Sequence, residues 1–212
     1  MPRTRSVIPR PAKGQVRVRV EALGMSALGV QAAGLVEAVG PEAGGFAPGD
    51  RVSYRVTAGT GGLNPLLPER DLIGFPKDVP LQKAAALLPL GLVARAVLRF
   101  QRPVGRGNTL YVHEDPSGAD DFVRAWALDL GAVPVDDPER ADVVVAPADL
   151  EAARRWRGGH GVGQQAAVDV FQAVRRGVFD GLRVASYPIA DADKARSDVA
   201  SGAGPVLLLP AA

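Results

Sequence analysis

Residues 111–121 read Y-V-H-E-D-P-S-G-A-D-D, with one glycine and four carboxylates, Glu114, Asp115, Asp120 and Asp121. A β-like run at 109–113 precedes them, and a helical run ending at Leu130-Gly131-Ala132 follows. A strand–turn–helix is the setting in which backbone N–H groups and a helix N-terminus hold a phosphate. That task needs bare glycine backbone, and carboxylates oppose it. Two like charges at close range repel by about 1 kcal/mol in water and about 4 kcal/mol at an effective dielectric of 20. Aspartates suit a different task, capping the helix and facing its positive end. Two readings follow: a capped helix without nucleotide, or an altered mode of nucleotide binding.

Other chemistry-bearing residues are sparse. There is no Cys, so disulfides, thiolate zinc sites and Cys nucleophiles are excluded. The two histidines are His113, which closes a strand and reads as structural, and His160, in the run G-G-H-G-V-G at 158–163. Two histidines make a metal site unexpected. The glycine run could cradle an anion, but it follows a helix rather than a strand, so it fails the context a dinucleotide fingerprint requires. It reads rather as a flexible splice across the shortened segment. His160 with Arg154, Arg155 and Arg157 is the candidate acid–base or anion cluster, although Arg154 and Arg155 also fit a solvated helix face. Tyr54 is the second weak catalytic candidate, and Tyr54 and Tyr187 could line a cleft. No G-x-S-x-G nucleophile motif occurs. The charges at Asp191, Asp193, Lys194, Arg196 and Asp198 alternate in sign and read as a solvated helix.

Composition bounds the class. The chain has 212 residues, 47% hydrophobic, with a net charge of +2, enough to bury a core and too near neutral for a nucleic-acid footprint. Aromatics at 5% give no stacking platform. No long uncharged apolar run suggests a membrane span, and residues 1–10 hold three arginines and no apolar stretch. A cytoplasmic location without membrane or nucleic-acid partners is expected.

The elements that must position these residues fall into two grammars. Residues 15–20 (Q-V-R-V-R-V), 35–39 and 50–56 read as strands, with 57–68 a loop, so the first 80 or so residues look all-β. From 81 to 100 the apolar spacing is helical, with Pro89 and Gly91 predicted to break it into two pieces. Strands at 109–113, 133–135 and 141–146 then alternate with helices at 122–130, 148–156 and 168–176. Strands at 184–187 and 206–209 flank a helix at 191–199. Such alternation implies a parallel α/β layer.

Several segments, in order, resemble the medium-chain dehydrogenase/reductase family, in its zinc-free quinone oxidoreductase and polyketide enoylreductase branch. They are G-Q-V-R-V-R-V at 14–20, A-G-L-V-E-A-V-G at 33–40, F-A-P-G-D-R-V at 46–52, the alanine-rich helix at 84–94, His113 with W-A at 126–127 and L-G-A at 130–132, the strand at 141–146, and the return segment from 177 to 210. The resemblance implies an α/β fold: a GroES-like β domain over residues 1–85, completed by about 183–212, and a truncated Rossmann-like parallel-sheet domain over 86–182. The chain is shortened between Met25 and Ala33 and again between Val135 and Val184.

The resemblance also places the family's sites. Its three phosphate-loop glycines fall on Ser117, Gly118 and Asp120; its nicotinamide-side threonine on Val93; its N-x-x-D on Ser26 and Gly29; its Gly-Lys on Gly204-Pro205. The cofactor-binding positions are thus Gly118, Ser117 and Val93, expected to be non-functional. The implied function is a reduced quinone-oxidoreductase-like protein, non-catalytic for redox, without cofactor, acting as a scaffold or partner subunit. A homodimer or pairing with an intact homologue is the expected partnership. The alternatives are a minimal NADPH-dependent quinone or enoyl reductase, or a non-redox enzyme that reuses the cleft.

Overall fold

The computed structural model describes residues 9–58, 60, 62–155 and 160–209, with backbone only at 160–162. The chain forms two sheets around one long buried helix. Strand β1 (Gln15–Ser26) runs antiparallel to β2 (Gly29–Val39), and Ser26 pairs with Gly29, so Ala27 and Leu28 alone make the turn. The shortening between Met25 and Ala33 is thus resolved as a tight hairpin of two long strands. Gly29, at φ 109°, supplies the backbone conformation that this turn requires. Strand β3 (Arg51–Arg55) pairs with β2. Strand β4 (Leu66–Pro68) pairs with the start of β1, so the predicted 57–68 loop ends in a strand. Strand β5 (Ile73–Gly74) closes that side against β3.

Helix α1 spans Leu81–Ala96 without interruption and runs into a π turn at Val97–Gln101. The predicted break at Pro89 is therefore a correction. Proline removes the N–H that would bond the Ala85 carbonyl. That carbonyl lies against Gly24 of β1, so closely that a Cβ there would sit 2.1 Å from the oxygen. Tertiary packing on both sides holds the helix together: Gly91, the other predicted breaker, meets Val170. The stretch Leu81–Gln101 is long and apolar enough to cross a membrane, but 67% of its most apolar window is buried inside the protein, as expected of a core helix.

The second sheet has three parallel strands in the order β7 (Val133–Pro134), β6 (Thr109–Val112), β8 (Val143–Val145). Helix α2 (Ala119–Asp129) joins β6 to β7, and α3 (Pro147–Arg155) follows β8. Asp149 accepts from the Ala146 N–H at 2.9 Å, which closes the start of α3. Helix α4 covers His160–Arg175. The predicted glycine loop is therefore corrected as well: Gly161 and Gly163 lie in α4, while Gly158 and Gly159 fall outside the described residues. Burial of Ala167, Val170 and Phe171 in the main core outweighs the weak helix propensity of the two glycines. Strands β9 (Ala185–Pro188) and β10 (Val206–Leu209) are parallel to each other and joined through α5 (Ala192–Ala200), and β10 pairs with β1. The chain's last strands therefore complete its first sheet, giving a GroES-like β unit beside a Rossmann-like α/β unit. The main core threads both, from Ala22 and Leu207 to Leu110 and Phe122, with α1 at its centre.

Gly24→Ala should cost about 3 kcal/mol, since the added methyl meets backbone rather than a movable side chain. Urea midpoints measure this, and a loss below about 1 kcal/mol would show that α1 can slide off β1.

Candidate functional site

The turn between β6 and α2 is where the candidates concentrate. Leu110 and Val112 bury the strand on one face, and Ala119, Phe122 and Val123 bury the helix. The chain must reverse between them within a few residues. Gly118 does so at φ 76°, as the N-cap residue, with no side chain to cap.

The hydrogen bonds of the turn close on themselves. Asp115 Oδ1 accepts from the Ser117 N–H at 2.9 Å and from Ser117 Oγ. Gly118 N–H donates to the Asp115 carbonyl at 2.9 Å. Arg154, on α3, reaches in from 39 positions along the chain: its Nη2 pairs with Asp115 Oδ1 and donates to Ser117 Oγ at 2.7 Å, and its Nη1 pairs with Glu151 at 2.7 Å. Burial alone would raise the Asp115 carboxyl. The hydrogen bonds from Ser117 and the Arg154 guanidinium outweigh it and hold the group below the ordinary carboxylate range.

Asp120 is buried and pairs with Arg124 at 2.6 Å, while Asp121 lies 3.5 Å from the same guanidinium. Arg124 Nη2 also donates to the Val112 carbonyl. Burial raises the Asp120 carboxyl, opposed by Arg124 and reinforced by Asp121. The expectation that these aspartates cap α2 is corrected. The N-cap position is Gly118, and the Asp120 carboxylate turns along the helix to its i+4 arginine. Both aspartates still occupy the first turn, at the positive end of the helix.

The other expected residues are dispersed. Arg155 is exposed, 3.9 Å from Glu151, as a solvated face requires. Arg154 is not on that face, a correction to the pairing of the two; its side chain is only 20% exposed and its Nε is buried without an acceptor. Arg157 and the His160 side chain lie outside the described residues. Tyr54 is 2% exposed in the second core, beside Val18 and Leu67, with its hydroxyl 3.3 Å from the Thr60 carbonyl. Burial pushes its phenol up to about 12. Tyr187 donates to Asp198 at 2.6 Å, tying β9 to α5, and that bond raises its phenol. Val93 is buried in the core. His113 donates its backbone N–H to the Val145 carbonyl at 3.1 Å, joining β8, and its ring stands edge-on to Tyr111.

Two hollows flank the turn. One, of about 460 Å³, lies between the β1–β2 hairpin, Ser117, Arg154 and α5; Met25, Val30 and Val199 form its apolar wall. Ser26 and Gly29 line it too, and Ser26 Oγ accepts from Leu28 N–H at 3.2 Å. The other, of about 830 Å³, lies on the far side, with Gly118, Asp120 and Asp121 facing Arg183 and Pro205. The 204–205 segment abuts the turn: a methyl on Gly118 would sit 3.5 Å from Gly204 Cα and 3.8 Å from Pro205 Cδ. The space between the lobes is therefore open. The inward roles of Arg124 and Arg154 were missed in the sequence; the i,i+4 spacing of Asp120 and Arg124 was the one available signal.

No known protein-family profile matches the chain. Among characterised proteins it is 33% identical over 154 residues to a quinone oxidoreductase of Pseudomonas aeruginosa, covering 62% of this chain and 47% of that protein. It is 30% identical over 146 residues to a 2-haloacrylate reductase of a Burkholderia species, covering 58% and 44%. The chain thus spans about half the length of the characterised relatives it matches. In fold it is similar to Escherichia coli quinone oxidoreductase complexed with NADPH, at a TM-score of 0.74 and 18% identity, over 96% of this chain and 94% of that one. A Pseudomonas syringae quinone oxidoreductase gives 0.69 at 22% identity, over 96% and 93%. The structural matches run end to end, whereas the sequence matches take in about half of each relative. Together they bear out the resemblance to the quinone oxidoreductases of the medium-chain dehydrogenase/reductase family.

Asp115→Asn should lower stability by about 2 kcal/mol at neutral pH, leaving Arg154 without its anion. The folded carboxyl titrates below its unfolded value of about 3.9, so its contribution is complete above that value and fades as pH falls through the folded one. Urea midpoints of wild type and variant should therefore converge in acid; a gap independent of pH would exclude an ionic interaction.

Proposed function

We propose that this quinone-oxidoreductase-like chain does not hold NADPH at the β6–α2 turn and serves as a non-redox partner subunit. One observation carries the reading: the Ser117 and Gly118 N–H groups, which stand where a pyrophosphate would need donors, both donate to Asp115 instead. The cation of the turn, Arg154, is held by Asp115 and Glu151. Beyond the turn, Asp120 places a carboxylate at the first turn of α2. This donor set does not fit a dinucleotide's phosphates. Val93 offers no hydroxyl at the position where the family keeps a threonine.

A partner role is supported by exposed apolar side chains at an open sheet edge. Leu128, Leu130 and Val133 are 63%, 41% and 51% exposed around β7, which ends the three-stranded sheet. Self-pairing, or pairing with an intact homologue, would cover them.

The 460 Å³ hollow favours a second reading, a minimal NADPH-dependent quinone or enoyl reductase, because room for a ligand persists beside Ser117. The E. coli neighbour was solved with NADPH. A non-redox enzyme reusing the cleft would need the same hollow.

Calorimetric titration with NADPH and NADH separates these readings. We expect no saturable binding at ligand concentrations up to about 1 mM; a micromolar Kd, about −8 kcal/mol, would overturn the proposal. Sedimentation tests the partnership: Val133→Lys with Leu128→Lys should shift a self-associated chain toward monomer, and a wild type that sediments as monomer would exclude self-pairing.

A further inference from the structure

A third hollow lies away from the turn, where α1, α2 and α4 meet, and has a volume of about 230 Å³. Leu98, Val104, Trp126 and Leu130 give it apolar walls, while Arg95, Arg99, Arg176 and Asp169 supply its charges. Arg95 Nε pairs with Asp169 at 2.6 Å and Arg176 Nη2 with Asp129 at 2.6 Å. Arg99 is exposed and has no ion-pair partner among the described residues. Three guanidiniums thus face two carboxylates, which leaves one positive charge over. In addition, Arg95 Nη1 is buried without a hydrogen-bond acceptor among the described residues, while the guanidinium carbon lies 5.7 Å from the centroid of the Phe100 ring. Buried guanidinium donors are normally paired, so an orphaned one marks a missing acceptor. Leu98 and Arg99 are carried by the π turn at Val97–Gln101, a distortion that recurs at functional sites.

We propose that this crevice binds a small organic acid: a carboxylate held by Arg95, Arg99 and Arg176, with an apolar body of about one ring against Trp126 and Leu98. A guanidinium pair or trio selects a planar carboxylate over a neutral group. The apolar walls favour a hydrophobic body over a bare inorganic anion. The volume falls below the range of drug-sized sites, which limits the ligand to a single ring or a short branched chain. The site shares no residue with the hollows around Ser117 and Gly118, so it stands whether or not nucleotide binds there.

The test uses the full chain with benzoate as the probe. The chain has two tryptophans, so Trp156→Phe leaves Trp126 as the reporter. At fixed ionic strength, benzoate should change Trp126 fluorescence saturably, and benzamide and inorganic phosphate should each bind about tenfold more weakly or worse. Arg99→Gln, at an exposed position that leaves the fold intact, should weaken benzoate by about tenfold, with circular dichroism unchanged. Calorimetry on the wild-type chain gives the same comparison if Trp156→Phe fails to fold. Absence of saturable benzoate binding, equal binding of benzamide or phosphate, or an unchanged affinity in Arg99→Gln would each overturn the proposal.

Discussion

The ion pair between Arg154 and Asp115 is the constraint on which the site depends. It joins α3 to the turn before α2, extending past the strand ends the contact that the paired strands β6 and β8 make. Both side chains are largely withdrawn from water, at 20% and 9% exposure, so their attraction is screened less than that of a surface pair. Ser117 completes it, donating to the carboxylate and accepting from the guanidinium. The positively polarised entrance to a helix invites an anion. Here the anion is part of the chain, and a second residue of the chain neutralises it. A turn whose Ser117 and Gly118 N–H groups are taken up by its own Asp115 gains rigidity.

The same logic governs the other side of the turn. Asp120 is buried at the first turn of α2, where a carboxylate would be costly alone. Arg124, one helical turn on, offsets that cost and ties the helix back to the Val112 carbonyl of β6. A buried carboxylate at this position thus calls for a cation one helical turn on, and Arg124 stands there. Gly118 takes the left-handed conformation, and the strand and helix meet at the turn.

How much of this was legible in the sequence depended on the range of the interaction. The strand at 15–20, the Gly131 and Gly177 stops, and the β-then-α/β grammar are local signals and could be read directly. Pro89 misled because its cost is local and its remedy is not: the freed Ala85 carbonyl rests on Gly24, 61 residues earlier. The glycines at 161 and 163 misled for the same reason, since α4 is held by what it packs against. At the site, the spacing of Asp120 and Arg124 was visible. The reach of Arg154 across 39 residues, and the seclusion of Tyr54 beside Leu67, could be seen only once the sheets were assembled.

The two lobes are coupled through α1. With three strands in the second sheet, the Rossmann-like half has little sheet surface to bury, and α1 takes over as the organising element. It packs against β1 through Gly24 and against α4 through Gly91, so both lobes share one core. A shared core resists the hinge motion by which two lobes close on a ligand, because closure would have to break apolar packing that runs across the boundary. A chain built in this way can keep its hollows open and its turn ordered without a ligand. The charges around the turn are balanced internally, by Arg154 with Asp115 and by Arg124 with Asp120.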